Sequence, residues 1–271
     1  MTRLDHENIS TFYGAHVISD KIWLALYEYG WKGSLSSYLE DWDSEISDRR
    51  KKNFLSDIAH GMLYIQNSQI KFHGRLTPKT CLIDRQFRIK LTNFGYVGNV
   101  THDTSNFESN LSLYTAPEIL NNSNTSPSIK SDVYSFAIIA HELLYDCATY
   151  FTNQESFDDL IISEKIKIIK TNENIRPFSG NMIDFSLDPE YRDMLYNCWY
   201  SVPGKRCDFK YIVQRVKIED SPMSRLEEES QRLELLLKDA KRESEEARIR
   251  ADNLLYRAVL DRCAHHDVVP L

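Results

Sequence analysis

The apolar positions of the chain change period as it runs, and each change predicts an element. Residues 11–29 hold two runs, TFYGAHVIS and KIWLALYEY, rich in aromatic and β-branched side chains and parted at Ser19-Asp20; they predict two strands. GWKGS then breaks the pattern. From about Ser47 to Asn67 the positions Phe54, Leu55, Ile58, Met62 and Ile65 recur at helical spacing, and Ser47-Asp48 reads as the cap of that helix. CLIDRQFRIKL reads as a hairpin-like pair, and residues 93–118 as a Ser/Asn-rich irregular segment ending in a proline. SDVYSFAIIAHELLYD is apolar almost all round, which predicts a central buried helix, and further helical segments run to about Gln214.

Past that point the pattern changes abruptly. Between Ser221 and Leu260 there is no glycine, and the one proline, Pro222, sits at the start, where a helix tolerates it. Leu226, Ser230, Leu233, Leu237, Ala240, Ser244, Ala247, Ala251, Leu254 and Ala258 step by four and three residues. Such a seam predicts a coiled-coil dimerisation stalk over 221–260 rather than a lone solvated helix. Its core is mostly Ala and Ser, so it buries little area and pairs weakly.

Composition narrows the function classes. With 33 Lys+Arg against 40 Asp+Glu the 271-residue chain carries a net charge of −7, against wholesale nucleic-acid binding. Hydrophobic residues at 42% and charged residues at 27% are ordinary for a soluble globular protein. No apolar run approaches the roughly 18 residues that span a bilayer. Five cysteines, an odd number with no CxxC pair, are the usage of a reducing compartment. The Asn-x-Ser/Thr triplets at Asn8, Asn99, Asn110, Asn121 and Asn124 are therefore read as chance. Cys263 with His265 and His266 reads as a polar tail, since no second ligand pair has matching spacing, and no metal site is expected.

The chemistry gathers around KFHGRLTPKTCLID, residues 71–84, and around the order of the segments that follow it. His73-Gly74-Arg75-Leu76 precedes Asn93-Phe94-Gly95, then Ala116-Pro117-Glu118, Asp132-Val133-Tyr134-Ser135-Phe136, Ile175-Arg176-Pro177, and Cys198-Trp199 with Arg206. This series resembles the C-terminal two-thirds of a protein kinase, in order and spacing, over residues 1 to about 217. LDHENISTFYGA, EYGWKGSLSSYL, FHGRLTPKTCLID and LYTAPEIL followed by SDVYSFAII narrow the likeness to the kinase-homology domain of receptor guanylate cyclases. RADNLLYRAVL looks like the end of the dimerising linker of that family.

The resemblance implies an α+β, protein-kinase-like fold with an incomplete N-lobe and a mainly helical C-lobe, followed by a long coiled-coil helix. The implied domains are a pseudokinase at 1–217, the linker at 221–260 and a tail at 261–271, with the cyclase domain absent. It also implies a damaged catalytic site. Arg75 stands where a kinase uses an aspartate base, Thr80 where an asparagine helps hold a metal, and Asn93 where an aspartate grips magnesium. Gly74 replaces an arginine that clamps a phosphorylated segment, leaving neighbouring Arg75 as the substitute for phosphates on 101–112. The remnant of an adenine site is Glu28-Tyr29-Gly30 with Leu82 beneath the ring, for which the resemblance implies ATP as an allosteric ligand; the alternative is that these are linker and core residues. Asp132 is expected to hold the loop backbone, Glu118 to form a buried pair with Arg206, and His73 and Phe94 to stack between the lobes.

The resemblance further implies a homodimer through 221–260. It places the chain under the plasma membrane as part of a longer receptor, acting on a guanylate cyclase domain or on the full-length receptor. Alone, the chain is expected to be soluble and cytoplasmic. The alternatives are a divergent active protein kinase, for which no substitute base or metal site is evident, and a free-standing pseudokinase scaffold.

Overall fold

A computed structural model describes residues 4–19, 22–40, 46–95, 113–122, 124–152, 155–172, 175–177 and 189–217, and then 226, 230, 233, 236–251, 253 and 254. The chain divides into two compact units, Met1–Ile218 and Glu219–Leu271.

The first unit opens with an antiparallel hairpin, β1 (Phe12–Ser19) and β2 (Ile22–Tyr27), where the two aromatic runs predict strands. Tyr13, Val17, Leu24 and Leu26 on it are exposed. Its base is fastened by Glu28, whose N–H donates to the Thr11 carbonyl at 2.8 Å and whose carboxylate meets Lys90 Nζ at 3.0 Å. Lys90 lies on β4 (Ile89–Leu91), which pairs antiparallel with β3 (Cys81–Ile83). A short helix, α1 (Leu35–Glu40), follows GWKGS. The sequence reading did not place it, because it spans under two turns and buries only Leu35, too little for a periodic signal.

The rest of the unit is helical. Helix α2 (Asp48–Asn67) starts where Ser47 Oγ accepts the Arg50 N–H, and it buries Phe54, Leu55, Ile58, Met62 and Ile65, the predicted stripe. After α3 (Pro117–Asn121) comes α4 (Ile129–Tyr145), in which every residue from Ser131 to His141 is buried. That accounts for a sequence apolar on all sides. Its start is fixed by a reciprocal cap, Ser128 N–H to Ser131 Oγ at 2.8 Å and Ser131 N–H to Ser128 Oγ at 3.3 Å. Helices α5 (Glu155–Asp158), α6 (Ile162–Thr171), α7 (Pro189–Cys198) and α8 (Phe209–Arg215) complete the unit. Helix α2 packs on both α4 and α8, and Phe136 of α4 meets Phe209 of α8 edge to face at 5.9 Å.

In the second unit residues 236–251 are helical, and Leu226, Leu233, Leu237 and Leu254 of the seam are exposed in the single chain. The segment 101–112, the tail 261–271 and with it Cys263, His265 and His266 lie outside the described residues.

One glycine shows how tightly the pieces are joined. A Cβ on Gly61 of α2 sits 2.9 Å from the Asn8 carbonyl oxygen and 2.9 Å from Leu91 Cδ1. Asn8 is itself fixed, its carbonyl accepting the Leu91 N–H at 2.9 Å. Gly61→Ala gains about 1 kcal/mol of helix propensity, but overpacking of this kind costs about 1–3 kcal/mol. The expected net result is a lower urea midpoint for the variant. A midpoint at or above that of the wild type is incompatible with this contact.

Candidate functional site

The loop at 71–84 is built from backbone bends and one carboxylate. Lys71 and Gly74 take left-handed φ values of 73° and 82°, turning the chain sharply on either side of the fully buried His73. Asp132, in the first turn of α4, accepts the His73 N–H at 2.7 Å on one oxygen and the Gly74 N–H at 2.9 Å on the other. His73 passes the order on. Its Nδ1 accepts the Arg75 N–H at 3.2 Å, its carbonyl accepts the Gly95 N–H at 2.9 Å, and its ring meets Phe94 edge-on at 6.3 Å. Asp132, His73 and Phe94 are thus brought together.

Burial sets the protonation of both central groups. It pushes Asp132 up to about 7, against the two N–H bonds that favour the charged form. It pushes His73 down to about 3, so the imidazole is neutral at any ordinary pH. Elsewhere in the unit, burial takes Asp57 up to about 7 and His141 down to about 4.

Arg75, Thr80 and Asn93 are placed in different ways. Arg75 is half-buried and lines a cleft of about 40 Å³ with Leu76, Thr77, Thr115, Ser131 and Asp132, room for little more than water. Thr80 ends a 3₁₀ turn (Pro78–Thr80), and its hydroxyl is spent inside that turn: it accepts the Thr77 N–H at 3.1 Å and sits 2.9 Å from the Thr77 carbonyl. The Thr80 carbonyl accepts the Thr92 N–H at 3.0 Å, which ties the turn to the end of β4. Asn93, next in the chain, is exposed and left-handed at φ 59°, a conformation asparagine bears better than most residues.

Of Glu28, Tyr29 and Gly30, it is Gly30 that passes close to Leu82: an added Cβ on it falls 3.0 Å from Leu82 Cβ, a tight approach. Gly33 and Lys32 carry the contact on, with Ile83 N–H to Gly33 O at 2.9 Å and Lys32 N–H to Ile83 O at 3.1 Å. The Glu28 N–H is already committed to Thr11. Burial pushes the Glu28 carboxyl up, but bonds from Lys90 and Thr11 outweigh it and hold the group below the usual range. Tyr29 and Trp31 are exposed and meet edge to face at 5.3 Å, with the Arg85 guanidinium 3.3 Å above the Trp31 ring.

Arg206 forms a fork with Glu118 at 2.7 and 2.8 Å and also donates to the carbonyls of Tyr200 at 2.8 Å and Lys130 at 2.9 Å. The arginine side chain is wholly buried, whereas Glu118 keeps 22% of its surface, so the pair is buried on one side only. Sequence reasoning missed a second polar cluster. In a cavity of about 270 Å³ bounded by Glu40, Lys79 and Lys165, Tyr114 donates to Glu142 at 2.7 Å and Thr149 to the other carboxylate oxygen at 3.1 Å. Burial holds Glu142 above the usual carboxylate range. Glu142, a carboxylate directly after the apolar run of this helix, was the signal in the sequence. Among the described residues no cluster of three or more His, Cys, Asp or Glu side chains has a metal-binding arrangement, and no helix is long and apolar enough to cross a membrane.

A family model described as protein tyrosine and serine/threonine kinase matches residues 1–216. A receptor-type guanylate cyclase of Caenorhabditis elegans is 28% identical across 94% of this chain and 22% of its own length. A receptor-type guanylate cyclase of Drosophila melanogaster is 29% identical across 95% of this chain and 18% of its own. Guanylyl cyclase C of Homo sapiens is 32% identical across 78% of this chain and 19% of its own. The chain therefore spans about a fifth of the length of these relatives.

The buried groups give opposing pH slopes. His73 and His141, with folded pKa values near 3 and 4, lose stability as pH falls below 6.5, since the unfolded chain then takes up protons they refuse. Asp132 and Asp57, with folded values near 7, hold protons the unfolded chain has released above about 4, so they lose stability as pH rises from 4 to 7. Between pH 4 and 6.5 the two pairs offset. Removing one histidine uncovers the acids: relative to the wild type, His73→Phe is expected to gain about 1.4 kcal/mol for each pH unit of acidification in that window. Urea midpoints of both proteins across the window test this, and a difference that does not vary with pH rules it out.

Proposed function

The chain belongs to the protein tyrosine and serine/threonine kinase family, and we propose that it is a catalytically inactive, kinase-homology regulatory module that relays a receptor's signal to cyclic GMP synthesis. The observation that carries inactivity is the closed turn at Thr80. Phosphoryl transfer is mainly positioning and charge neutralisation around bound metal, so it needs free oxygen donors and a proton acceptor at fixed points. The Thr80 hydroxyl is engaged with Thr77. Arg75 cannot release a proton to act as a base, and its fixed positive charge opposes one. Asn93 is a neutral and weak ligand for a hard divalent cation.

The regulatory half of the reading rests on likeness to receptor-type guanylate cyclases over nearly the whole chain. In this reading the heptad seam at 221–260 pairs two copies, and the module acts on a guanylate cyclase domain of the same receptor from the cytoplasmic side of the plasma membrane. ATP at Glu28–Gly30 and Leu82 is its allosteric ligand. With the Glu28 N–H already used, the adenine edge is left to the backbone beyond it.

Two measurements test the proposal. The double variant Arg75→Asp, Asn93→Asp, incubated with γ-labelled ATP, magnesium and a generic protein substrate, is expected to transfer no label, because Thr80 stays closed. Transfer by that variant would overturn the account of the loop. For the relay, cyclic GMP is measured from a chimera in which residues 1–260 replace the matching segment of guanylyl cyclase C. Synthesis is expected to persist and to change on Asp132→Ala; output indifferent to that substitution in a folded chimera sinks the regulatory reading.

A further inference from the structure

Helix α7 ends at Cys198, and the chain returns nine residues later to place Cys207 beside it. The two Sγ atoms are 3.4 Å apart and neither is bonded to another sulfur. The backbones are adjacent as well, the Cys207 N–H donating to the Asn197 carbonyl at 3.0 Å. A disulfide needs backbones that approach closely, with Cα atoms within about 4.4–6.8 Å, and the Cys207 amide held on the residue before Cys198 brings the two backbones together. We propose that Cys198 and Cys207 are a redox modification site, closing to a disulfide when the chain meets a hydroperoxide and reopening when a thiol reductant returns.

The surroundings give the two sulfurs different parts. Cys207 is half-buried, within reach of a small oxidant, whereas Cys198 is wholly buried at the end of α7. The Cys198 thiol donates to Cys207 and draws its pKa below the ordinary thiol value, burial opposes this, and the Lys130 ammonium supports it. Lys130 is close by, its Nζ 3.0 Å from the Cys207 carbonyl and 2.6 Å from that of Arg206. Cys198 is pushed well up by burial and keeps its proton. Cys207 is therefore the attacking thiolate and Cys198 the resolving thiol.

The chemistry balances with the peroxide as oxidant. The Cys207 thiolate attacks one peroxide oxygen, the O–O bond breaks, and the departing alkoxide or hydroxide takes a proton from water, leaving a sulfenic acid. Cys198 sulfur then attacks the Cys207 sulfur. The S–S bond forms, the S–O bond breaks, and hydroxide leaves as water with the Cys198 proton. Two thiols lose two electrons, and the peroxide gains them. The other described cysteines are poorly placed for this: burial raises Cys81, and it raises Cys147 to about 12.

The ring so closed holds the loop that carries the main ion pair. Between the two sulfurs lie Trp199, whose carbonyl receives Arg176 Nε at 2.7 Å, Tyr200, whose carbonyl receives Arg206 Nε, and Arg206 itself. Oxidation fixes this segment around the Glu118–Arg206 fork.

The test uses the full chain, kept native, exposed to hydrogen peroxide, alkylated and digested. A peptide joining Cys198 to Cys207 is expected, sensitive to dithiothreitol, and lost when the chain is unfolded before oxidation. In Cys207→Ser the link is absent and Cys198 stays alkylatable. In Cys198→Ala, Cys207 is captured as a sulfenic acid by dimedone. Four results overturn the proposal: no oxidation of either residue, Cys207 driven to sulfinic acid in the wild type with Cys198 still free, links from either residue to Cys81, Cys147 or Cys263, or sulfenic acid on Cys198 first.

Discussion

Two backbone hydrogen bonds to one carboxylate organise the folded unit. Asp132 reaches back across 59 residues of sequence to hold the amides of His73 and Gly74, and it does so from the first turn of a helix buried along most of its length. Hydrogen bonds contribute about 0.5–1.5 kcal/mol net each, and here the two fix a loop that turns through two left-handed residues, Lys71 and Gly74. The same helix end serves a second purpose. Lys130, two residues earlier, receives Arg206 on its carbonyl and sends its ammonium to the carbonyls of Arg206 and Cys207. The start of α4 is thus the point where the loop, the Glu118–Arg206 pair and the α7–α8 connection meet.

The contacts that hold this loop are distinct from the side chains at Arg75 and Asn93 that the proposed inactivity turns on. The hydrogen bonds described above that hold it use backbone amides, the Asp132 carboxylate and the His73 ring. Thr80 goes further and turns a ligand position into part of the scaffold, its hydroxyl closing the 3₁₀ turn.

The parts legible in the sequence are those written in local pattern. Helix α2 was marked by its apolar spacing and its Ser47 cap, α4 by a run apolar almost all round, the first strand pair by aromatic and β-branched runs and the second by a hairpin-like pattern. Asp132, Glu118 and Arg206 were legible only through the order of short motifs, because each acts across a long stretch of chain. What could not be read depends on distance alone. That the Thr80 hydroxyl is spent, that Lys90 takes the Glu28 carboxylate, that Tyr114 and Thr149 cover Glu142, and that two cysteines nine residues apart touch are facts of three-dimensional placement. Helix α1 was invisible for another reason: with one buried residue it has no period to detect.

The hairpin of β1 and β2 carries one more consequence. Two strands alone are marginal in water, and this pair turns Tyr13, Val17, Leu24 and Leu26 outward, so little apolar burial supports it. Its order is borrowed through Glu28, from a strand that is itself anchored to α2. The hairpin therefore rests on far less apolar burial than the core around α4, where every residue from Ser131 to His141 is buried. Gly30 and Leu82 sit on the boundary between the two regimes. A contact that grips both sides of that boundary joins the sparsely packed hairpin to the densely packed core.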